Sequence, residues 1–146
     1  MSFIPTNASA KNWKLRFFKK TASIAISQNC LLDWPASPTG YFVLATNATT
    51  KTCGLSQFVV TASDADYTLN TYKPVLVPIN GPESTVTATV TATCVATDVG
   101  GRYNLTDSTA VNRGASTVGR FLMTRFISTT KAEGYLLMPA QYAAAA

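Results

Sequence analysis

Along most of the chain apolar and polar residues alternate with a period of two, and no stretch carries a sustained apolar stripe at i, i+3 and i+4. The clearest run is STVTATVTATCVAT, residues 84–97. Val86, Ala88, Val90, Ala92, Cys94 and Ala96 fall on one face, with Thr85, Thr87, Thr89, Thr91 and Thr93 on the other. Strands usually run about 3 to 10 residues, so this pattern predicts a half-buried strand that bends or is split by a bulge. NWKLRFFKK, residues 12–20, sets Trp13, Leu15 and Phe17 against Lys14 and Arg16, again at strand period, and its apolar face needs cover. ASIAIS (22–27) continues the β pattern through Ile24 and Ile26, and the prolines and glycine of DWPASPTG (33–40) predict a loop. YFVLAT (41–46), LSQFVVTA (55–62) and YTLNTYKPVLVPI (67–79) read as further short strands, separated by polar turns and ended by Asn80-Gly81-Pro82. GRFLMTRFIS (119–128) and GYLLM (134–138) read as a closing hairpin across TKAE.

These elements predict an all-β protein, a small antiparallel β-barrel or sandwich with little helix. Residues 1–20 are expected to form a basic aromatic N-terminal arm, 21–138 the β domain, and 139–146 a short loose tail or contact helix. No internal repeat is visible in the sequence. At 146 residues one domain is the expectation.

Composition changes the picture in two ways. Charged residues are only 13%, against roughly 25% in soluble domains, so threonine, serine, asparagine and alanine must cover the surface. Such a surface suits a protein that stays packed against partners. The formal charge of +5 is also unevenly placed: Lys11, Lys14, Arg16, Lys19 and Lys20 lie within the first twenty residues, which hold no acid, and the other seven cations balance the seven acids. A local basic segment suits docking on an acidic surface or on nucleic acid, and an ordinary solvated edge is the plain alternative. Cys30, Cys53 and Cys94 are dispersed and odd in number, which argues for buried thiols in a reducing compartment rather than a disulfide framework or zinc site. No signal-peptide core and no run near ~18 apolar residues is present, so a soluble chain made inside the cell, with no membrane span, is expected.

Little in the sequence points to catalysis. There is no histidine, which excludes imidazole triads and the usual metal clusters. Asp64 and Asp66 form the one close acidic pair, but the remaining ligands of a calcium loop are missing, and turn capping is the default for both. DVGGRYNLTDSTAVNRG (98–114) invites a phosphate-loop reading, yet a P-loop needs G-x-x-x-x-G-K-[ST] opening a helix, and here a strand-like segment follows Gly101. A hairpin with turns at Gly100-Gly101 and Asp107-Ser108 is the expectation. No enzyme, cofactor or metal site is therefore predicted. One site-like feature is left, formed by Trp13, Lys14, Arg16, Phe17, Phe18, Lys19 and Lys20. Cations with interleaved aromatics can hold a protein surface, or track phosphates and stack on bases in a single-strand-binding barrel.

The second half carries a resemblance. DADY followed by KPVLVP (64–78), a long Thr/Val/Ala strand, then Val99-Gly100, Tyr103, Leu105 and Asp107, and GRFLMTRFISTTKAEGYLL to the end resembles the small capsid decoration, or cement, proteins of tailed bacteriophages. The likeness spans roughly residues 24–138 and is one of spacing and residue type. It implies a compact barrel of β-tulip or SH3-like type that sits on the outside of an icosahedral shell in the virion after synthesis in the host cytoplasm. It further implies binding to the major capsid protein, stabilisation of neighbouring coat subunits, and a homo-oligomer with a trimer favoured. The alternatives are a head fibre or tail component, a host-surface carbohydrate binder, and a small barrel that binds single-stranded nucleic acid. In the capsid reading the arm docks and can be removed without unfolding the barrel.

Overall fold

The computed structural model of the chain describes residues 2–7, 9–48 and 51–137. The period-two pattern resolves into strands β1 (Phe3–Pro5), β2 (Trp13–Lys19), β3 (Leu31–Trp34), β4 (Val43–Leu44), β5 (Lys51–Ser56), β6 (Tyr72–Pro78), β7 (Val86–Thr91), β8 (Arg102–Asp107), β9 (Ala110–Asn112), β10 (Phe121–Ser128) and β11 (Lys131–Leu136). Two single-turn 3-10 helices, Gly81–Glu83 and Ala96–Asp98, are the only helical segments among the described residues. The protein is a small all-β domain, as the periodicity predicts.

The strands form two sheets of the same design. In one, the order β7-β11-β10-β8-β9 returns to β7 through a parallel pairing, Val90 with Val111, and closes a five-stranded ring. In the other, the order β2-β6-β5-β3-β4 returns to β2 through a single parallel bridge, Lys20 with Phe42. Each ring therefore pairs its first strand with its fifth, fifth with fourth, fourth with second and second with third, all antiparallel, and its first with its third in parallel. The registers also correspond. Aligning Lys20 with Val90 and Phe42 with Val111 places Asp33 on Asn104, Ser56 on Met123 and Val75 on Gly134, and every ladder agrees with that alignment. The chain is thus two copies of one five-stranded plan, although the sequence shows no repeat. Among these strand positions the aligned residues differ almost throughout, because the plan constrains pairing and burial rather than residue identity.

Small rings bend sharply, and glycines and bulges allow it. Gly54 and Gly134 sit at the junction of the fourth and fifth strands of their rings, where a Cβ would meet the carbonyl oxygens of Leu76 and Leu122. β10 is bulged twice, between Met123 and Arg125 and between Phe126 and Ser128. The long threonine pattern stops at Thr91 because Ala92 and Thr93 adopt positive φ (63° and 41°), which turns Cys94 inward beside Met123, at 3.6 Å between sulfurs.

One core fills the first ring with Ile26, Cys30, Leu32, Phe42, Cys53 and Val75. The larger core fills the second ring with Val86, Ala88, Val90, Leu105, Phe121 and Met123 and extends to the first ring through Leu31, Leu55, Ala45 and Trp13. Across this apolar contact runs a buried fork. Arg120 is fully buried and donates from both terminal nitrogens to the carboxylate of Asp33 at 2.8 Å each, with further bonds to the Thr46 carbonyl (2.6 Å) and Thr52 Oγ1 (3.1 Å). The Asn104 side chain holds the approach to Arg120, accepting from the backbone N–H groups of Val118 and Gly119 at 2.9 Å.

Several expectations need correction. Residues 1–20 are not an arm outside the β domain: β1 pairs with β7, β2 pairs with β6, and Phe3 and Trp13 lie in the core. Removing them would open the first ring, which loses β2, and strip β1 and the Phe3 side chain from the second. β3 lies in a stretch read as the start of a loop, and of ASIAIS only Ile26 makes a bridge, to Val60. The loose tail at 139–146 lies outside the described residues.

Breaking one side of the fork leaves a charge buried without its counterion, which typically costs about 3–5 kcal/mol. Arg120→Met is expected to destabilise the protein by that amount in urea unfolding. The double variant Asp33→Leu/Arg120→Met is expected to recover most of the loss, because it removes both desolvation costs.

Candidate docking surface

The seven residues singled out in 13–20 are separated by the fold. Trp13 is buried in the larger core, where its indole N–H has no hydrogen-bond partner among the described residues. Phe18 faces the first ring and packs edge-on against Trp34, with ring centroids 5.0 Å apart and planes at 77°. Lys20 is fully buried, and its ammonium donates to the carbonyls of Tyr67 (3.2 Å) and Leu69 (2.5 Å). Lys14, Arg16, Phe17 and Lys19 stay exposed.

The reason is geometric. A row of leucines crosses the first sheet, Leu31 to Leu55 to Leu76 to Leu15, each directly opposite the next. Its inner members are covered by the second ring, but the row runs out beyond that cover at β2. Leu15 is 53% exposed, Phe17 59% and Tyr72 64%, and Pro74 pairs with Phe17 on the same face. Clusters of large apolar side chains in water are common at interaction sites, which makes this face the candidate docking surface. Cations frame it. Lys14 and Arg16 project on the opposite side of the same strand, Lys19 sits 5.2 Å from the Tyr72 ring centre, and no ion-pair partner for any of these three occurs among the described residues. Alternation in the sequence placed Phe17 on the same strand face as Leu15, as the structure has it, but nothing there pointed to Tyr72, which joins the patch only through the β2–β6 register.

The other chemistry-bearing residues are occupied structurally. Asp64 accepts from the Thr61 N–H at 2.7 Å and caps a turn, while Asp66 pairs with Lys73 at 2.5 Å. Asp98 pairs with Arg113 at 2.9 Å and caps the turn at Val95. Hydrogen bonds from Lys73 and Arg113 hold the Asp66 and Asp98 carboxyls below the usual range, the opposite of what a general acid needs. The three cysteines are buried and free, and burial, with Asp33 nearby, pushes the Cys53 thiol up to about 12. Within residues 98–114 the β8–β9 hairpin occupies 102–112, with Asp107 capping its turn at the Thr109 N–H. Among the described residues no group of three His, Cys, Asp or Glu could hold a metal ion, and no helix is long and apolar enough to cross a membrane. A cleft of about 630 Å3 beside Trp34, Pro35, Pro38 and Lys51 is largely apolar, and Lys51 is the one cation among the described residues on its wall.

Compared with known proteins, the chain matches no protein-family model and no curated protein. The surface has therefore to be interpreted from its own chemistry.

Burial pushes the Lys20 ammonium below its ordinary value of 10.5; Asp66 opposes the shift and Lys73 adds to it. The unfolded chain then binds this proton more tightly than the folded one, so the Lys20 contribution to stability rises with pH as 10.5 is approached and is smallest at lower pH. The stability of the protein relative to a Lys20→Met variant, measured by urea unfolding from neutral pH upward, is expected to increase over that window. A difference that is flat or falls with pH refutes the assignment.

Proposed function

We propose that this protein is a structural component of a viral particle that binds the outer surface of an icosahedral capsid and stabilises contacts between coat subunits, as the phage decoration proteins it resembles do. The observation that supports a docking role most directly is the exposed Leu15, Phe17 and Tyr72 face framed by Lys14, Arg16 and Lys19. Apolar and aromatic anchors supply most of an interface's energy, and surrounding cations steer the approach to an acidic partner. Two further features favour a structural protein over an enzyme. The carboxylates that the fold brings to other charged groups meet cations of the opposite sign, and the surface is unusually poor in charge. In this reading the coat protein is the partner, and the chain assembles as a homo-oligomer, a trimer being favoured by the resemblance.

A second reading has an observation of its own. Phe17 and Tyr72 are exposed aromatics flanked by cations, the combination that single-strand nucleic-acid binders use for stacking and phosphate contact. It requires oligonucleotide affinity that falls steeply with salt.

Quantitative mass spectrometry of purified particles tests the primary reading. A copy number equal to that of the coat protein, or a simple fraction of it, is expected. A handful of copies per particle indicates a tail or fibre part, and absence from particles overturns the proposal. Phe17→Glu, at an exposed position, is expected to lower attachment more than tenfold, equivalent to at least about 1.4 kcal/mol, without moving the thermal midpoint.

A further inference from the structure

The duplicated plan shows what is missing at the docking surface. In the second ring the outer edge of the first strand, β7, is not bare. β1 lies antiparallel along it, with Phe3 opposite Ala88, Ile4 opposite Thr87 and Pro5 opposite Val86. Beyond the paired segment the Thr89 N–H donates to the Ser2 carbonyl and the Thr6 N–H to the Thr85 carbonyl, so Thr85, Thr87 and Thr89 turn their backbone polar groups toward β1. In the register shared by the two rings these three residues correspond to Leu15, Phe17 and Lys19 of β2.

The backbone parity of β2 agrees. The Lys19 carbonyl faces away from β6, because it accepts from the Phe42 N–H, and the Trp13 N–H also faces away, because it donates to the Ser9 carbonyl. Leu15 and Phe17 lie between them at the same parity, so their N–H and C=O groups point out of the sheet. No hydrogen bond to them from outside the strands is found among the described residues. Opposite Phe17 stands Pro74, which has no N–H to offer, as expected where β2 and β6 do not exchange bonds. The first ring therefore has an open edge at the position where the second ring carries an added strand.

We infer that the β2 edge takes an added strand from another protein: an extended segment, apolar at alternate positions and carrying carboxylates, that pairs antiparallel with Leu15 and Phe17 as β1 pairs with β7. The inference rests on the docking reading of this surface and specifies how the partner is held. Charge selects the occupant. Lys14, Arg16 and Lys19 line the edge, with Lys11 just before it, and no acid lies in residues 1–20. A second copy pairing β2 to β2 would set these cations against one another, whereas a carboxylate-bearing strand complements them. Lysine on an edge strand can simply deter aggregation, but such a guard needs only charge. It does not need Phe17 and Leu15 more than half exposed on the adjoining face, where they would seat alternate side chains of an added strand.

The test uses the full chain and three synthetic ten-residue peptides: alternating Val and Asp, alternating Val and Lys, and the Val/Asp peptide N-methylated at its Val residues, whose N–H groups would face Leu15 and Phe17. Amide hydrogen exchange is read at Leu15 and Phe17. The Val/Asp peptide is expected to slow both amides at least tenfold, with the effect weakening as salt rises, and the other two peptides are expected to leave them unchanged. Leu15→Pro deletes an N–H that β6 does not use, and is expected to weaken peptide binding at least tenfold beyond Leu15→Ala. Should Leu15→Pro fail to fold, the exchange measurement on the unaltered chain decides alone. No binding of the Val/Asp peptide, binding without protection of these amides, or equal protection by the Val/Lys peptide overturns the inference. Particle attachment separates this inference from the reading beneath it. Equal attachment of Leu15→Pro and Leu15→Ala overturns strand addition and leaves the capsid role standing. Absence from particles, with the amides still protected by the Val/Asp peptide, overturns the capsid role and supports the open edge.

Discussion

The two rings are held in one arrangement by the Arg120–Asp33 fork. Leucine packed on leucine, as at Leu31 and Leu55, is favourable but tolerant of sliding, whereas two parallel N–H to oxygen bonds at 2.8 Å are not. Burying both charges costs several kcal/mol per ion, so the pair contributes little net stability and instead penalises any packing in which guanidinium and carboxylate fail to meet. Around it the rest falls into place. Asn104 braces the loop that delivers Arg120, the Thr46 carbonyl and Thr52 hydroxyl take further donors, and the Leu31 N–H reaches the Ser108 carbonyl of the β8–β9 turn at 2.7 Å.

Each ring also depends on a buried contact where its ends meet. In the second ring an apolar pair, Val90 and Val111, brings the first and third strands together. In the first ring Lys20 takes the place of Val90, and its ammonium is tied to the carbonyls of Tyr67 and Leu69 in the long β5–β6 connection. One topology thus tolerates an apolar or a polar closure, provided that each buried donor finds an acceptor. The difference has a structural consequence. The N-terminal segment seals the edge of β7, and the equivalent edge of β2 is left with two residues open.

The candidate surface was half legible in the sequence. Alternation in 12–20 told that a strand was present and that Phe17 and Leu15 shared a face, and the absence of acids told that the region was basic. It could not tell which members of that face would find cover. Trp13 lies where the second ring overlaps the first, while Leu15 and Phe17 lie two and four residues further along the same strand and beyond the overlap. Lys20 looked like another surface cation because a lysine is almost never fully buried unless paired, and its acceptors come from residues 67 and 69, far along the chain.

By itself the sequence determined the all-β character, the hairpin at 102–112, the pairing of the last two strands though not its turn, which falls at Thr129-Thr130 rather than across 130–133, the buried thiols, and a basic, strand-forming N-terminal segment, because period-two patterning, turn residues and local charge are short-range properties. Only the tertiary structure decided that the N-terminal segment belongs to the sheets, that β3 exists, that Asp33 meets Arg120, and that two rings share one register. These depend on pairings between residues up to eighty-seven positions apart. The identity of an isolated Leu-Leu-Asp-Trp or of a single arginine carries no trace of the partner that buries it.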